Sequence, residues 1–101
     1  MDEFVRVCAQ SELPQRGLVV EISLQGRALC VANVDGAICV LDGTCPHEGG
    51  PLGEGTIENG RVVCPWHAYA FDVLTGETDD PSVKGEVLEA KVENGELRVK
   101  M

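Results

Sequence analysis

The chain has 101 residues, enough for one modest core and too few for a second catalytic domain. No run approaches the roughly 18 apolar residues of a membrane span, and a net charge of −9 argues against nucleic acid as a partner. The N-terminal MDEFVRV has two acidic residues and no apolar stretch of signal-peptide length, so a cytoplasmic protein is expected. Five Cys, an odd number in a reducing compartment, then point away from a disulfide scaffold and toward metal or redox chemistry.

Read in chain order, short β-branched or alternating runs dominate. They are FVRVCA (4–9), GLVVEISL (17–24), RALCVANV (27–34), AICVLD (37–42), RVVC (61–64), EVLEAKV (86–92) and ELRVKM (96–101). Turn pairs separate them: Gln25-Gly26, Asp35-Gly36, Asn59-Gly60, Thr75-Gly76 and Asn94-Gly95. Aspartate or asparagine before glycine suits the two-residue hairpin turn, which needs positive φ at both positions. The Asp35-Gly36 turn would set Cys30 opposite Leu41 and Cys39 opposite Ala32. SELP (11–14) has room for one helical turn, and no segment sustains a helical period over ten residues. The expectation is one all-β domain spanning 1–101, built of small antiparallel sheets. An irregular lobe at about 43–71 is set into a base formed by 1–42 and 72–101.

The lobe opens on TCPHEGGPLGEG (44–55), which holds one Cys, one His, two Pro and four Gly. So little apolar material cannot pack a core, and something else must hold the loop. CPWH (64–67) completes the set: Cys45-x-His47, sixteen residues, then Cys64-x-x-His67. Four soft or borderline ligands in two tight pairs, each on a Gly/Pro loop, are what a metal site requires. The TIENGRVVC hairpin (56–64) would return the chain and set the loops side by side, with Gly49 and Gly50 allowing close backbone approach. Zinc fingers usually take both Cys from one loop and both His from the other. Here each loop supplies one of each, which suits a binuclear cluster of mixed ligation, and a structural Cys2His2 zinc site is the alternative.

The spacing C-x-H, sixteen residues, C-x-x-H resembles the Rieske [2Fe–2S] family, in which two His replace two Cys on one iron. The resemblance covers the whole chain and implies a Rieske-like antiparallel β-sandwich or barrel with an inserted cluster-binding lobe. It implies one [2Fe–2S] cluster, with Cys45 and Cys64 on one iron and His47 and His67 on the other through Nδ1. Rieske proteins of respiratory and photosynthetic complexes add a disulfide between the two loops, at positions that correspond here to Gly50 and Trp66. They also place a Ser two residues, and a Tyr four residues, after the second His; those positions here hold Tyr69 and Phe71. Fewer hydrogen bonds to cluster sulfur favour the oxidised state and lower the potential.

CPWHAYAFD (64–72) is similar to soluble Rieske ferredoxins and to the Rieske domains of ring-hydroxylating oxygenases. An oxygenase subunit also needs a mononuclear iron held by two further His and a carboxylate. This chain has two His in all, and the cluster would take both. With no spare ligand set, nucleophile–base pair or phosphate loop, the protein reads as an electron carrier rather than an enzyme. It would shuttle one electron from a flavin-dependent NAD(P)H reductase to a terminal oxygenase of the ring-hydroxylating type, as a soluble monomer. The alternatives are a small Rieske subunit of a larger oxidoreductase, such as nitrite reductase, and a zinc-stabilised interaction module. Residues 42–80 hold eight acidic residues against one base, Arg61, which would steer a brief docking event. Cys8, Cys30 and Cys39 read as small hydrophobes inside strands. Trp66 reads as a packing residue that screens the cluster from water, and Tyr69 and Phe71 as plugs joining lobe to base.

Overall fold

The computed structural model describes residues 4–44, 50–66 and 69–100. Among these residues ten strands run in the order β1 (Phe4–Ala9), β2 (Val19–Leu24), β3 (Arg27–Val34), β4 (Ala37–Asp42), β5 (Thr56–Glu58), β6 (Arg61–Val63), β7 (Ala70–Asp72), β8 (Val87–Leu88), β9 (Ala90–Glu93) and β10 (Glu96–Lys100). Single 3-10 turns occupy Gln10–Glu12 and Leu52–Glu54. The strands form three antiparallel sheets, ordered β1-β10-β9, β2-β3-β4-β8 and β5-β6-β7. The all-β expectation holds. Among the described residues no helix is long and apolar enough to cross a membrane.

The four-stranded sheet is the middle layer, which explains its sequence. Leu29, Cys30, Val31 and Ala32 of β3 are all fully buried, because both faces of the strand are covered. Such strands read as continuous apolar runs rather than alternating ones. Leu29, Val31 and Val40 face one core with Val7, Cys8, Leu97 and Val99 of the β1-β10-β9 sheet. Cys30, Ala32 and Leu41 face the other core with Leu52, Val62, Cys64 and Phe71 of the β5-β6-β7 side. The lobe is therefore seated on the base by apolar burial, with Cys64 among the residues of that interface. A register shift between Arg6 and Cys8 in the β1–β10 pairing breaks the alternation. That bulge lets the consecutive Val7 and Cys8 both turn inward.

The hairpins follow the turn pairs. Gln25, Asp35, Asn59 and Asn94 all have φ near +50°, each followed by a glycine with positive φ. The Asp35-Gly36 turn pairs Cys30 with Leu41 and Ala32 with Cys39, as the sequence predicts. Thr75-Gly76 differs. Only Gly76 has positive φ, and the Asp72 side chain accepts hydrogen bonds from the amides of Leu74 (2.8 Å) and Thr75 (3.2 Å). This turn opens a long loop toward β8 instead of closing a hairpin. EVLEAKV also departs from one strand: Val87 and Leu88 pair with β4, while Ala90 onward pairs with β10. The chain changes sheets at Glu89, whose carbonyl accepts the Lys100 amide at 2.9 Å.

Candidate metal centre

Of the four proposed ligands, Cys64 lies within the described residues. Cys45, His47 and His67 lie outside them, as does Gly49. Cys64 is buried, 1% exposed, at the end of β6 and in the core shared by lobe and base. The β5–β6 hairpin that delivers it pairs Thr56 with Val63 and Glu58 with Arg61 across the Asn59-Gly60 turn. Gly55, just before β5, approaches β6 so closely that a Cβ there would collide with the Val63 carbonyl oxygen. Only glycine fits at that crossing.

Each ligand-bearing segment is closed at its base. Thr44 and Pro51 form an antiparallel bridge, which brackets residues 45 and 47. The Leu52 amide adds a bond to the Gly43 carbonyl at 2.8 Å. On the other side, the Cys64 amide donates to the Tyr69 carbonyl at 2.8 Å, closing the segment that contains residue 67. The two bases touch. A Cβ on Gly50 would stand 3.0 Å from the Cys64 Sγ and 3.0 Å from the Trp66 indole. The Cys64 sulfur thus lies close to bare backbone, where any side chain at position 50 would be crowded. Close approach of backbone to a ligand sulfur suits a group held near main-chain amides, and the donor set of two thiols and two imidazoles suits a Rieske cluster. The residues present fit that group.

The start of the first segment carries a feature that reading the sequence for charge alone misses. The Asp42 Oδ1 accepts the Thr44 amide at 2.8 Å, and its Oδ2 accepts Arg27 through Nη2 (2.9 Å) and Nε (3.2 Å). The same Nη2 lies 2.9 Å from the Glu86 Oε2. These partners raise the Arg27 pKa, Glu86 most, with desolvation opposing and Asp42 adding to the rise. An Asp placed two residues before an amide it can cap is a recognised turn former, and that signal was present at Asp42-Gly43-Thr44.

Around the second segment, Tyr69 is half-buried and packs on the lobe–base core, its hydroxyl 3.5 Å from the Asp80 Oδ2. Phe71 is fully buried in the same core. Both plug lobe to base as expected. Trp66, expected as a packing residue over the cluster, packs only in part. One side of its indole covers Gly50, and the residue remains 49% exposed. Arg61 pairs with Asp79 at 3.1 Å, tying the lobe sheet to the loop after β7.

The other cysteines behave as small hydrophobes. Burial raises the Cys30 pKa to about 12 and also raises that of Cys8. Cys39 is raised first by burial and then by the charge of Asp72.

Comparison with known proteins agrees with this geometry. The model of the Rieske [2Fe–2S] domain matches residues 3–94. The chain is 33% identical over 99 residues to Ferredoxin CarAc of Metapseudomonas resinovorans, covering 95% of this chain and 92% of that protein. It is 35% identical over 74 residues to the human protein Apoptosis-inducing factor 3, covering 73% of this chain and 12% of that much longer one. Among solved structures, the complex of reduced oxygenase and oxidized ferredoxin in carbazole 1,9a-dioxygenase contains a chain with a TM-score of 0.82 and 32% identity, covering 96% of this chain and 92% of its own length.

Proposed function

The chain belongs to the Rieske [2Fe–2S] family, and from that premise we propose that it carries single electrons from a flavin-dependent NAD(P)H reductase to a terminal oxygenase of the ring-hydroxylating type. The observation that supports this most is the near end-to-end match to a ferredoxin, at 95% of one chain and 92% of the other. Cys45, His47, Cys64 and His67 are the ligands in this reading, and residues 43–71 are the unit that carries them. Once bound, the [2Fe–2S] cluster supplies a one-electron couple. The chain contributes the rest. Burial of Cys64 keeps water from one side of the site, the two closed segments hold the ligand pairs, and the acidic surface steers the encounter. The protein works in the cytoplasm as a monomer that binds its partners briefly.

A second reading has one observation in its favour. The match to a much longer protein, of which this chain covers 12%, shows a domain of this kind as one part of a larger chain, in line with a role as a small subunit of a larger oxidoreductase. Anaerobic expression, visible absorption and electron paramagnetic resonance of the reduced protein test the cluster. Reduction by a flavin reductase and reoxidation by a terminal oxygenase test the carrier role. A colourless protein holding one zinc would overturn both readings and leave the zinc-stabilised module. Firm copurification with a host enzyme would favour the subunit over the free carrier.

A further inference from the structure

We infer that Asp42, clamped by Arg27, is a positioning residue that sets the first ligand-bearing segment and thereby governs how firmly the metal centre is held. The inference rests on the Rieske cluster reading, and the geometry that carries it lies where β3 and β4 meet the lobe. Asp42 ends β4 opposite Leu29 of β3. Its main-chain amide donates to the Glu86 carbonyl at 2.8 Å. Its Oδ2 takes the Arg27 Nη2 and Nε, and its Oδ1 takes the Thr44 amide, the last described amide before residue 45. The two carboxylate oxygens divide the work. One is fixed by the β3 guanidinium, and the other fixes the loop.

Nothing at this corner can slide. The Gly43 amide donates to the Ala28 carbonyl at 2.9 Å, and a Cβ on Gly43 would stand 2.9 Å from that same backbone. Thr44 then bridges to Pro51 across the segment. Strain or slack at Asp42 therefore passes to both ends of the loop, while the strand pairs behind it stay intact. A carboxylate with its neighbouring guanidinium is suited to this because the charge-assisted bonds fix direction as well as distance. Residues bonded directly to metal ligands cost about 10–100-fold in metal affinity when removed; Asp42 acts one residue before the first proposed ligand, so the lower end of that range is expected.

The test uses holoprotein. Asp42→Ala should lose its cluster to a chelator about tenfold faster than the unaltered protein and broaden the paramagnetic resonance spectrum of the reduced state. Asp42→Asn keeps an acceptor for the Thr44 amide but turns a donor toward Arg27, so it should recover only part of the loss and match Arg27→Gln, a pattern that simple destabilisation would not predict. Leu97→Ala, in the opposite core, serves as the control: it should lower global stability and leave the resonance spectrum unchanged. If Asp42→Ala does not fold, Arg27→Gln removes only the clamp and should shift cluster loss in the same direction. Cluster loss at the unaltered rate in the Asp42 and Arg27 variants overturns the inference. So does a Leu97→Ala protein that matches Asp42→Ala in both rate and spectrum. Amide exchange at Thr44 in the protein as purified, whatever metal it holds, separates this from the function reading. Protection lost in Asp42→Ala and kept in Asp42→Asn supports the tether even if the metal proves not to be iron, and unchanged protection overturns it.

Discussion

The Cys64 sulfur stands 3.0 Å from the point at which a side chain on Gly50 would begin, and the Trp66 indole stands at the same distance. Gly50 and Trp66 are the positions at which the respiratory branch of the family would carry its inter-loop disulfide. They are in contact here too, but the join is an aromatic ring laid on backbone. The link between the loops is therefore packing, which can be loosened without any redox change.

That contact gives the first prediction. Gly50→Ala forces the indole or the sulfur to give way by a few tenths of an ångström, and half-exposed Trp66 can yield. Gly50→Val cannot be absorbed by Trp66 alone and presses on buried Cys64. The alanine variant should keep its cluster at a stability cost of about 1 kcal/mol. The valine variant should bleach several times faster in air, followed by visible absorbance. Equal bleaching of both would mean that the close approach of Gly50 to the sulfur is not needed.

The second prediction concerns potential. Phe71 is fully buried and offers no hydrogen-bond donor, and the Tyr69 hydroxyl lies beside Asp80 at 3.5 Å. With neither the disulfide nor the Tyr donor of the respiratory type, the midpoint should fall near the low end of the family's range of about −150 to +300 mV. Protein-film voltammetry measures it directly, and a value well above about +150 mV, in the upper half of that range, would show that other donors set the potential.

Much of this architecture is legible in the sequence, for reasons that differ along the chain. Strands β3 and β4 read cleanly because both faces of the middle sheet are buried and Asp35-Gly36 fixes their register. The two Cys/His pairs are proposed from spacing alone, and of the four only Cys64 lies among the described residues. Strand β7 does not read. Its three residues, Ala70–Asp72, show no alternation, and their pairing with Arg61–Val63 decides their conformation. The break at Glu89 is equally silent, because changing sheets is a tertiary choice imposed on a locally uniform run. Asp42 reads as one more acidic residue; its bond to Arg27 depends on a neighbouring strand, fifteen positions earlier in the chain. Trp66 reads as a packing residue over the cluster, yet about half of it is exposed.

Exposure of Trp66 leads to the third prediction. A half-exposed indole beside the site, on a protein of net charge −9, combines an apolar anchor with long-range steering. Trp66→Ala should slow electron delivery to a terminal oxygenase about tenfold, the loss of one anchoring aromatic, with little change in midpoint potential. Raising the ionic strength should slow the unaltered protein through its association rate, because screening shortens the reach of the acidic surface. Stopped-flow oxidation at several salt concentrations separates the two effects. An unchanged rate for Trp66→Ala would place docking elsewhere on the surface.

The fourth prediction follows from Cys30, which sits between Leu41 and the Leu52 carbonyl with its Sγ 3.7 Å from that oxygen. Burial raises its pKa from the ordinary 9.0 to about 12, since a thiolate there would have no solvent. The folded state thus holds its proton more tightly than the unfolded chain does. This contribution to stability is complete below pH 9, where both states are protonated. It declines as the unfolded thiol ionises, and is fully lost once pH passes the folded value near 12. Unfolding midpoints should therefore fall between pH 9 and 12, and Cys30→Ala should show a shallower fall over that window, though from a lower start because of the cavity left behind. The same burial should protect Cys30 from alkylation at about pH 8 in the folded protein, while half-buried Cys39 reacts slowly. Denaturant titrations across the alkaline range, paired with mass spectrometry of alkylated peptides, check both. A Cys30→Ala slope as steep as that of the unaltered protein would assign the alkaline loss to other groups, and would remove the buried thiol from the contacts that join lobe to base.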